Sequence, residues 1–393
     1  MPRNNSNLHS MPLKRKLSIV SVAFVIITMY WLSRPQNPNK RVSLSQNEDK
    51  ESICQQSNRK PQIEEFHFPR ASPVPNFVQG PGLEHWHDEN VTDATCRFLR
   101  HSKDAKHLPH IMQQIYRCFS WWLRNPEKQH YFLWPPVKDT SPFVTGFLQT
   151  LQQVFRVEFV DTREGHSIVY PLVNYSFDAA DYTGGYQVRS PGDFAYLQQT
   201  IRERHPEWPA MAGCQGPHGH LSKLPQPRIT ILNREVSSGR HLYNAVALKE
   251  ILASQLHARV QVVDSFDGAS FEQQVQTMQQ TDVLISPHGA QLVSIPFLPQ
   301  CAHVYEIFPQ HYFVPRFYGS LTGAAGLFYH AVDTGVQNLW HDTLEQRQKA
   351  RAQHVCLPIE SIYETLVPAL NETIHHWQHC CYHHKKPRLP SAI

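Results

Sequence analysis

The chain has 393 residues, 41% of them hydrophobic, which is enough apolar material for two cores joined by tethering segments. Its formal net charge is only +4, and the Lys and Arg residues are scattered rather than collected in blocks. This distribution argues against a nucleic-acid partner.

The first predicted element is a membrane anchor near the amino terminus. Residues 17–32 form an uncharged run of sixteen residues, preceded by a Lys-Arg-Lys cluster at residues 14–16. As an α-helix the run is about 24 Å long, which suits a thin early-secretory membrane, and the basic cluster keeps the amino end cytosolic. A cleaved signal peptide is the alternative, but no small-x-small cleavage motif follows. We therefore expect a cytosolic tail over residues 1–16, a type II anchor over residues 17–33, and a body in the lumen of the Golgi or endoplasmic reticulum.

Two further signals agree with a luminal body. Three N-glycosylation sequons follow the anchor, with acceptors Asn90, Asn174 and Asn371. Eight cysteines are scattered without any CxxC pair, which is compatible with disulfides in an oxidising compartment. The adjacent cysteines at 380–381 lie near two histidines but have poor spacing for zinc ligands, so a disulfide is expected there.

Composition divides the luminal part into a stem, two lobes and a tail. Residues 34–82 are rich in Pro, Asn, Gln and charge, and this composition predicts a flexible stem. An acceptor-side lobe is expected over residues 83–225, with a helix near residues 110–124 that buries one face. A second lobe is expected over residues 226–340. The tail over residues 341–393 returns to helical spacing, and we expect it to pack back over the first lobe.

Strands and helices alternate in the second lobe. Short apolar runs predict strands at residues 228–232, 260–263, 282–286 and 304–308. Helical spacing covers residues 244–257 and a segment around residues 271–278. This alternation is typical of a parallel sheet with crossover helices, and it predicts a Rossmann-like half.

The turn after the third of these strands is the first candidate ligand site. It consists of Pro287, His288, Gly289 and Ala290, and it leads into a short predicted helix over residues 291–298. Ligands of open parallel sheets bind at the carboxyl ends of the strands, and backbone N–H groups at a helix start attract phosphate. His288 is a candidate donor to a diphosphate oxygen. A plain strand-to-helix turn with a capping histidine is the alternative.

Three charged residues are delivered to the same edge of the sheet. Arg234 follows the first strand of this lobe, and Arg240 lies in the next loop. Two guanidinium groups beside a helix start predict a pyrophosphate clamp, although each alone would be an ordinary solvated loop charge. Glu306, in an apolar run, is a candidate acceptor for ribose or sugar hydroxyls, or else a structural partner of Arg316.

Together these residues resemble glycosyltransferase family 61, which includes β-1,2-xylosyltransferases and EGF-domain-specific O-GlcNAc transferases. The similar segments are residues 281–292, 297–299 and 304–309, with Arg234, Arg240 and Asn244 upstream. The resemblance spans roughly residues 228–332. Gln291 stands where many members have a second Gly, and Ser294 stands where Asn is common. These two departures leave the donor sugar open.

The resemblance implies an α/β fold of GT-B type, with two facing Rossmann-like lobes and the donor held by the second. It implies transfer, with inversion, of a sugar of the xylose, GlcNAc or arabinose class from a UDP-sugar to a hydroxyl of a glycoprotein or glycan. The implied donor-binding residues are Arg234, Arg240, Asn244, His288, Gly289, Ala290, Gln291 and Glu306. No Asp-x-Asp motif occurs in the chain, so we expect no metal cofactor, and Arg and helix N–H groups would stabilise the leaving diphosphate.

The catalytic base is the least determined part of this interpretation. Inversion needs a base for the acceptor hydroxyl, and Asp178 and Asp181 are candidates, with Asp193 a little further along. Each is more often structural than catalytic. The alternative function is a non-catalytic luminal protein that keeps the transferase fold as a glycan-binding or scaffolding module, and Gln291 and Ser294 favour it.

Overall fold

The computed structural model describes residues 60–67, 93–97, 108–124, 129–134, 141–154, 157–161, 172–173, 186, 191–208, 226–335 and 343–383. All of them belong to one unit of the chain, Cys54–Ile393. The predicted cytosolic tail and anchor, residues 1–33, lie outside the described residues. Within the described ranges, no helix is both long enough and apolar enough to cross a bilayer.

The strands lie in two sheets. In chain order they are β1 (Gln62–Phe66), β2 (Asp93–Arg97), β3 (Gln129–Trp134), β4 (Val157–Asp161), β5 (Leu172–Val173), β6 (Arg228–Leu232), β7 (Arg259–Val263), β8 (Val283–Pro287), β9 (His303–Phe308) and β10 (Phe328–Asp333). The larger sheet has the order β1-β10-β9-β8-β6-β7, and the smaller has the order β4-β3-β2-β5. The strands of both sheets pair in parallel, except that β1 runs antiparallel to β10.

Helices connect the strands and cover the sheets. They are α1 (Leu108–Arg124), α2 (Pro142–Val154), α3 (Pro191–Arg204), α4 (Ala245–Gln255), α5 (Phe271–Gln279), α6 (Arg316–Ala324), α7 (Leu344–Ala352), α8 (Ile359–Ser361) and α9 (Val367–His383). Short 3-10 helices cover Val236–Ser238 and Ala290–Phe297, and a π-helical turn at Ile362–Leu366 joins α8 to α9. The predicted alternation of strands and helices in the second lobe is confirmed, with boundaries shifted by one or two residues.

Local sequence sets the start of two of these helices. At the start of α5, the Ser270 hydroxyl accepts a hydrogen bond from the Gln273 N–H, and the Gln273 side chain accepts one from the Ser270 N–H. Thr343 and Gln346 form the same reciprocal capping box at the start of α7. Each box satisfies backbone donors that the first turn leaves unpaired, so the two helix starts are fixed by short-range chemistry.

Alternate residues of the central strands enter two different cores, as the two-residue period of a strand requires. Ile229, Ile231 and Val283 enter a core that α4 and α9 cover. Leu232 and Leu284 enter the other core, which contains residues of α1, α2, α3 and α5. The larger sheet is therefore buried on both faces, which explains why its strands read as nearly continuous apolar runs.

The tail packs against the larger sheet. Its apolar face consists of Leu357, Ile362, Leu366 and Leu370, and all four lie in the core that contains Ile229. We expected this face to lie over the first lobe. The sheet face beside α4 is apolar and accepts the same helical spacing, which explains the different position. A disulfide between Cys301 and Cys380 joins α9 to the segment before β9, where a carboxyl-terminal disulfide was expected.

The predicted flexible stem needs a correction, because five of its residues form β1. Gln62 pairs with Asp333 and Phe66 pairs with Tyr329 at the edge of the larger sheet. Ile63 packs against one core and Phe66 against the other. The low aliphatic content of residues 34–82 hid this strand, since an edge strand needs backbone pairing more than side-chain burial.

The helices of the predicted first lobe pack directly on the second. Ile111, Ile115 and Phe119 of α1 are buried, as the periodicity predicted. The Tyr116 hydroxyl donates to the Val293 carbonyl oxygen at 2.7 Å, which joins α1 to the 3-10 helix that follows β8. These helices therefore support the loops at the carboxyl edge of the larger sheet.

Candidate active site

The predicted site residues lie at the point where the strand order of the larger sheet reverses. The first strand of the parallel set, β6, has β7 on one side and β8 on the other. The chain therefore leaves β6 and β8 toward opposite faces of the sheet, and a crevice opens between the two loops. Arg234 and Arg240 lie in the loop after β6, and His288 and Gly289 follow β8. The structure brings together what the sequence placed at one edge.

The loop after β6 is held in one shape by Asn233. Its side-chain oxygen accepts hydrogen bonds from the backbone N–H groups of Arg234 and Leu242, each at 2.8 Å. Its amide nitrogen donates to the Leu242 carbonyl oxygen at 3.0 Å. The His241 ring bonds the Arg234 carbonyl oxygen. Sequence reasoning missed Asn233; the available signal was an asparagine directly after a buried strand, where its amide can close a loop.

Arg234 is a buried guanidinium anchored by backbone oxygens. It donates to the Gly239 carbonyl oxygen at 3.1 Å and to the Ser238 carbonyl oxygen at 3.4 Å. On its other side it lies against the His288-Gly289 turn. A Cβ atom added to Gly289 would lie 1.8 Å from the Arg234 Nη1 atom. A side chain at residue 289 would therefore displace the Arg234 guanidinium. The backbone of Gly289 is extended, with a φ of −179°, and sets no such limit.

Arg240 is held in an uncommon backbone conformation. Its φ of 59° lies in the left-handed region, which non-glycine residues seldom adopt. Its Nε atom is buried without a hydrogen-bond partner. Burial lowers the pKa of Arg240 to about 10, and the positive charges of Arg234 and Arg351 act in the same direction. Arg240 thus combines a strained backbone, a buried donor without a partner and neighbouring cations. These three features are typical of a residue that binds an anion.

His288 and Glu306 form a buried pair beside these arginines. The His288 Nδ1 atom lies 2.5 Å from the Glu306 Oε1 atom, and the Tyr329 hydroxyl donates to the Glu306 Oε2 atom. The His288 ring is enclosed by aromatic rings, with Phe308 and Tyr318 centred 5.4 and 5.3 Å from it. The contact with Glu306 uses Nδ1, so Nε2 is the ring nitrogen left for a ligand.

Burial keeps this pair in its uncharged form. It raises the pKa of Glu306 well above its usual value and lowers the pKa of His288 well below its usual value. The charges of Arg240 and Arg234 lower the pKa of His288 further. At Glu306 the Tyr329 hydrogen bond and the charge of Arg240 lower the pKa, but burial outweighs them. Glu306 therefore carries the proton and donates it to Nδ1, which fixes the tautomer with a hydrogen on Nε2. His288 then presents a neutral N–H donor, suited to an anionic oxygen.

The role predicted for Glu306 needs a correction. Its two oxygens are occupied by His288 and Tyr329, and its side chain is fully buried. It therefore neither pairs with Arg316 nor offers a free oxygen to sugar hydroxyls. The period of β9 places Glu306 on the same sheet face as Val304 and Phe308, inside a core. In this position it orients His288.

Three other predicted site residues have internal partners. The Asn244 side chain exchanges two hydrogen bonds with the Leu357 backbone, at 2.6 and 3.2 Å. The Gln291 amide donates to the Leu232 carbonyl oxygen at 3.2 Å and to the Ser286 hydroxyl at 2.9 Å. The Ser294 hydroxyl donates to the Gln291 carbonyl oxygen at 2.6 Å, and Gly289 gives the following 3-10 helix no side-chain cap. Donor contacts by Asn244 and Gln291 remain a prediction.

A cavity of about 140 Å³ opens beside the arginines. Arg234, Phe266 and Ala290 line it from the loops after β6, β7 and β8, and Ser141 and Phe143 line it from the start of α2. Pockets for drug-sized ligands usually measure about 300 to 1,000 Å³. At about 140 Å³, this cavity is smaller than that range.

Several predicted residues lie outside the described part of the chain or away from the site. Asp178 and Asp181, the candidate bases, and the acceptors Asn90 and Asn174 are outside it. Asp193 is buried in the first turn of α3. Asn371 is exposed on α9. Within the described ranges, no group of three or more His, Cys, Asp or Glu side chains has the geometry of a metal site.

Comparison with known proteins defines the class of the site region. Residues 135–305 match the family Glycosyltransferase 61, which confirms the resemblance drawn from the sequence. The match begins well before residue 228, where the resemblance was expected to begin, and it stops one residue before Glu306.

A named relative agrees with that class. Protein O-linked-mannose beta-1,4-N-acetylglucosaminyltransferase 2 of Tetraodon nigroviridis is 33% identical over 114 residues. The aligned part covers 28% of this chain and 18% of the relative. The chain is thus similar to less than a fifth of that protein.

Proposed function

We propose that this protein is a glycosyltransferase that moves a sugar of the xylose, GlcNAc or arabinose class from a UDP-sugar to a hydroxyl of a glycoprotein or glycan, with inversion. The observation that carries the proposal is the convergence of Arg234, Arg240 and His288 at the switch point of a parallel sheet. Two cationic groups and a neutral N–H donor there suit a diphosphate. The family match and the named relative point to the same chemistry.

The proposed reaction is a single displacement. The acceptor oxygen attacks the anomeric carbon, and the bond from that carbon to the diphosphate oxygen breaks. UDP leaves with the bonding electron pair, and the acceptor proton passes to a base, for which Asp178 and Asp181 are the candidates. Arg234, Arg240 and the His288 Nε2–H would stabilise the charge that grows on the diphosphate. We propose that these groups act without a metal, so activity should survive chelation by EDTA.

The two departures from the family pattern leave the crevice accessible. The side chains of Gln291 and Ser294 bond within the protein, to the β6 end and to the helix that follows. Both side chains are uncharged, so neither neutralises the site arginines. No observation therefore favours the non-catalytic alternative over the transferase.

We further propose that the two parallel sheets correspond to the two lobes of a GT-B architecture in a type II protein of the Golgi or endoplasmic reticulum. The Cys301–Cys380 disulfide supports an oxidising compartment, and the predicted anchor at residues 17–33 supplies the membrane attachment. Asn371 is exposed, while the Thr373 hydroxyl of its sequon is buried against Tyr305 at 2.7 Å. Loss of an endoglycosidase-sensitive mass in Asn371→Gln would support luminal synthesis, and an unglycosylated protein in cells would oppose it.

Calorimetry with UDP tests the donor site. We expect the unchanged protein to bind UDP and Arg234→Gln to lose at least about tenfold in affinity, because it loses a charge-assisted contact. Arg259→Gln is the matched control, since Arg259 is an exposed arginine at the opposite, amino-terminal edge of the same sheet. A protein that shows no UDP binding would refute the donor site. Mass spectrometry of an acceptor panel incubated with UDP-xylose or UDP-GlcNAc then tests transfer itself.

A further inference from the structure

Helix α7 brings two more guanidinium groups to the site, and sequence reasoning did not assign them. Arg347 and Arg351 are four residues apart and therefore share one face of the helix. The Arg347 guanidinium carbon lies 6.0 Å from the centroid of the Tyr312 ring, and that ring lies 5.3 Å from the His288 ring. Arg347 is thus one aromatic ring away from the histidine of the crevice.

The carboxyl end of α7 packs against the loop that carries the first two arginines. A Cβ atom added to Gly239 would lie 2.6 Å from the Ala352 carbonyl oxygen. Gly239 also has a φ of 67°, which disfavours any side chain there. The contact sets Arg351, one residue before Ala352, beside the loop that begins at Arg234 and ends at Arg240.

The four arginines form a cluster of like charge. The charges of Arg234, Arg240, Arg347 and Arg351 all act on His288, and Arg351 also acts on Arg234 and Arg240. In the described part of the chain, none of the four lies within ion-pair distance of a carboxylate. Asp267 attracts Arg234 from beyond that distance. The remaining repulsion among the arginines costs folding free energy, and an anionic ligand removes that cost.

A purely structural role explains the position of only one of the two arginines of α7. A basic residue in the last turn of a helix interacts favourably with the carboxyl end of the helix dipole, and this applies to Arg351. It applies equally to Lys349, which points in a different direction from the same turn. It does not explain why Arg347 and Arg351 both lie on the side of the helix that faces the crevice.

We propose that α7 completes the diphosphate site, with Arg351 and Arg347 binding the phosphate from which the sugar departs. This inference rests on the proposed function. Departure of the sugar adds one negative charge to the diphosphate, so a cation at this position stabilises the leaving group more than the intact donor. The two residues then act in binding and in the transfer step.

The test compares three single variants of the full chain, Arg347→Gln, Arg351→Gln and Lys349→Gln. Each removes one positive charge from α7, but Lys349→Gln removes it away from the crevice. UDP affinity is measured by calorimetry, uridine affinity by competition, and unfolding temperature without ligand by calorimetric scan. We expect Arg351→Gln to weaken UDP binding by about tenfold or more and Arg347→Gln by less, because Arg347 is more exposed. Uridine affinity should stay within error. The unfolding temperature without ligand should not fall, because each arginine substitution relieves repulsion within the cluster. Lys349→Gln should bind UDP as the unchanged protein does.

The outcomes separate this inference from the proposed function. If the unchanged protein binds UDP and both arginine variants bind it equally well, the role of α7 is refuted and the donor site stands. A parallel loss of uridine and UDP affinity in Arg351→Gln also refutes it, since the residue would then support only the shape of the site. If the unchanged protein binds no UDP, both proposals fail.

Discussion

Replacing Glu306 by glutamine isolates the protonation state of the buried pair. A protonated Glu306 donates to the His288 Nδ1 atom and accepts from the Tyr329 hydroxyl. Glutamine can do both, with its amide nitrogen toward His288 and its oxygen toward Tyr329. The variant therefore keeps the hydrogen on Nε2, and we expect it to bind UDP as the unchanged protein does.

The sign of the stability change follows from proton linkage. The pKa of Glu306 is raised from 4.5 in the folded state, so above pH 4.5 the unfolded chain releases a proton that the folded chain keeps. That difference costs the unchanged protein about 1.4 kcal/mol per pH unit until the folded-state pKa is reached. Glu306→Gln removes this cost. We expect equal stabilities near pH 4.5 and a gain for the variant that grows as the pH rises above 4.5.

Urea unfolding of both proteins across that pH range measures the difference, provided the two denaturant slopes agree. Glu306→Ala is the sensitivity control. It leaves the His288 Nδ1 atom and the Tyr329 hydroxyl without partners, at about 1 to 3 kcal/mol each, so it should destabilise the fold. If Glu306 were instead ionised against an imidazolium, Glu306→Gln would cost about 3 to 5 kcal/mol. A loss of that size would refute the neutral pair.

Two other substitutions probe the geometry of the site and the anchoring of the tail. Gly289→Ala should displace the Arg234 guanidinium and weaken UDP binding by about tenfold, with little change in stability. In an Arg234→Ala background, Gly289→Ala should have no further effect on UDP affinity. Additive losses of UDP affinity in the double variant would contradict this role of Gly289. Replacing Cys301 and Cys380 together by serine opens a loop of 79 residues and should lower the free energy of unfolding by about 4 kcal/mol, as measured by urea unfolding. An unchanged unfolding free energy would show that the disulfide does not secure α9.

The larger sheet was predictable because its strands are short apolar runs separated by helical spacing. The same patterns placed Arg234 and His288 at one edge, since parallel strands end together. The partners of Glu306 were not predictable in this way. Its partner Tyr329 lies on the next strand of the sheet, 23 residues further along the chain. Only the strand order brings the Tyr329 hydroxyl to the Glu306 carboxyl group.

Other parts of the site depend on contacts that local sequence does not encode. Arg351 follows Arg240 by more than one hundred residues, and its position depends on how α7 packs on the loop containing Gly239. An asparagine is common at the end of a strand, so Asn233 does not stand out in the sequence. Its role becomes visible only in its hydrogen bonds with the Leu242 backbone. The prediction of a flexible stem was wrong over residues 62–66 for a similar reason. The strand β1 forms because its backbone pairs with the edge of β10, and its own hydrophobicity does not indicate a strand.

The strand β1 also has a consequence for solubility. An open strand edge exposes a row of unpaired backbone groups that can template pairing with another chain, and β1 covers that edge of β10. Cleavage of the chain after Phe66 would leave β1 attached only through its pairing with β10 and the packing of Ile63 and Phe66. A shortened protein that lacks residues 62–66 should therefore self-associate through β10. On this reasoning, β1 shields the edge of the larger sheet from pairing with another chain.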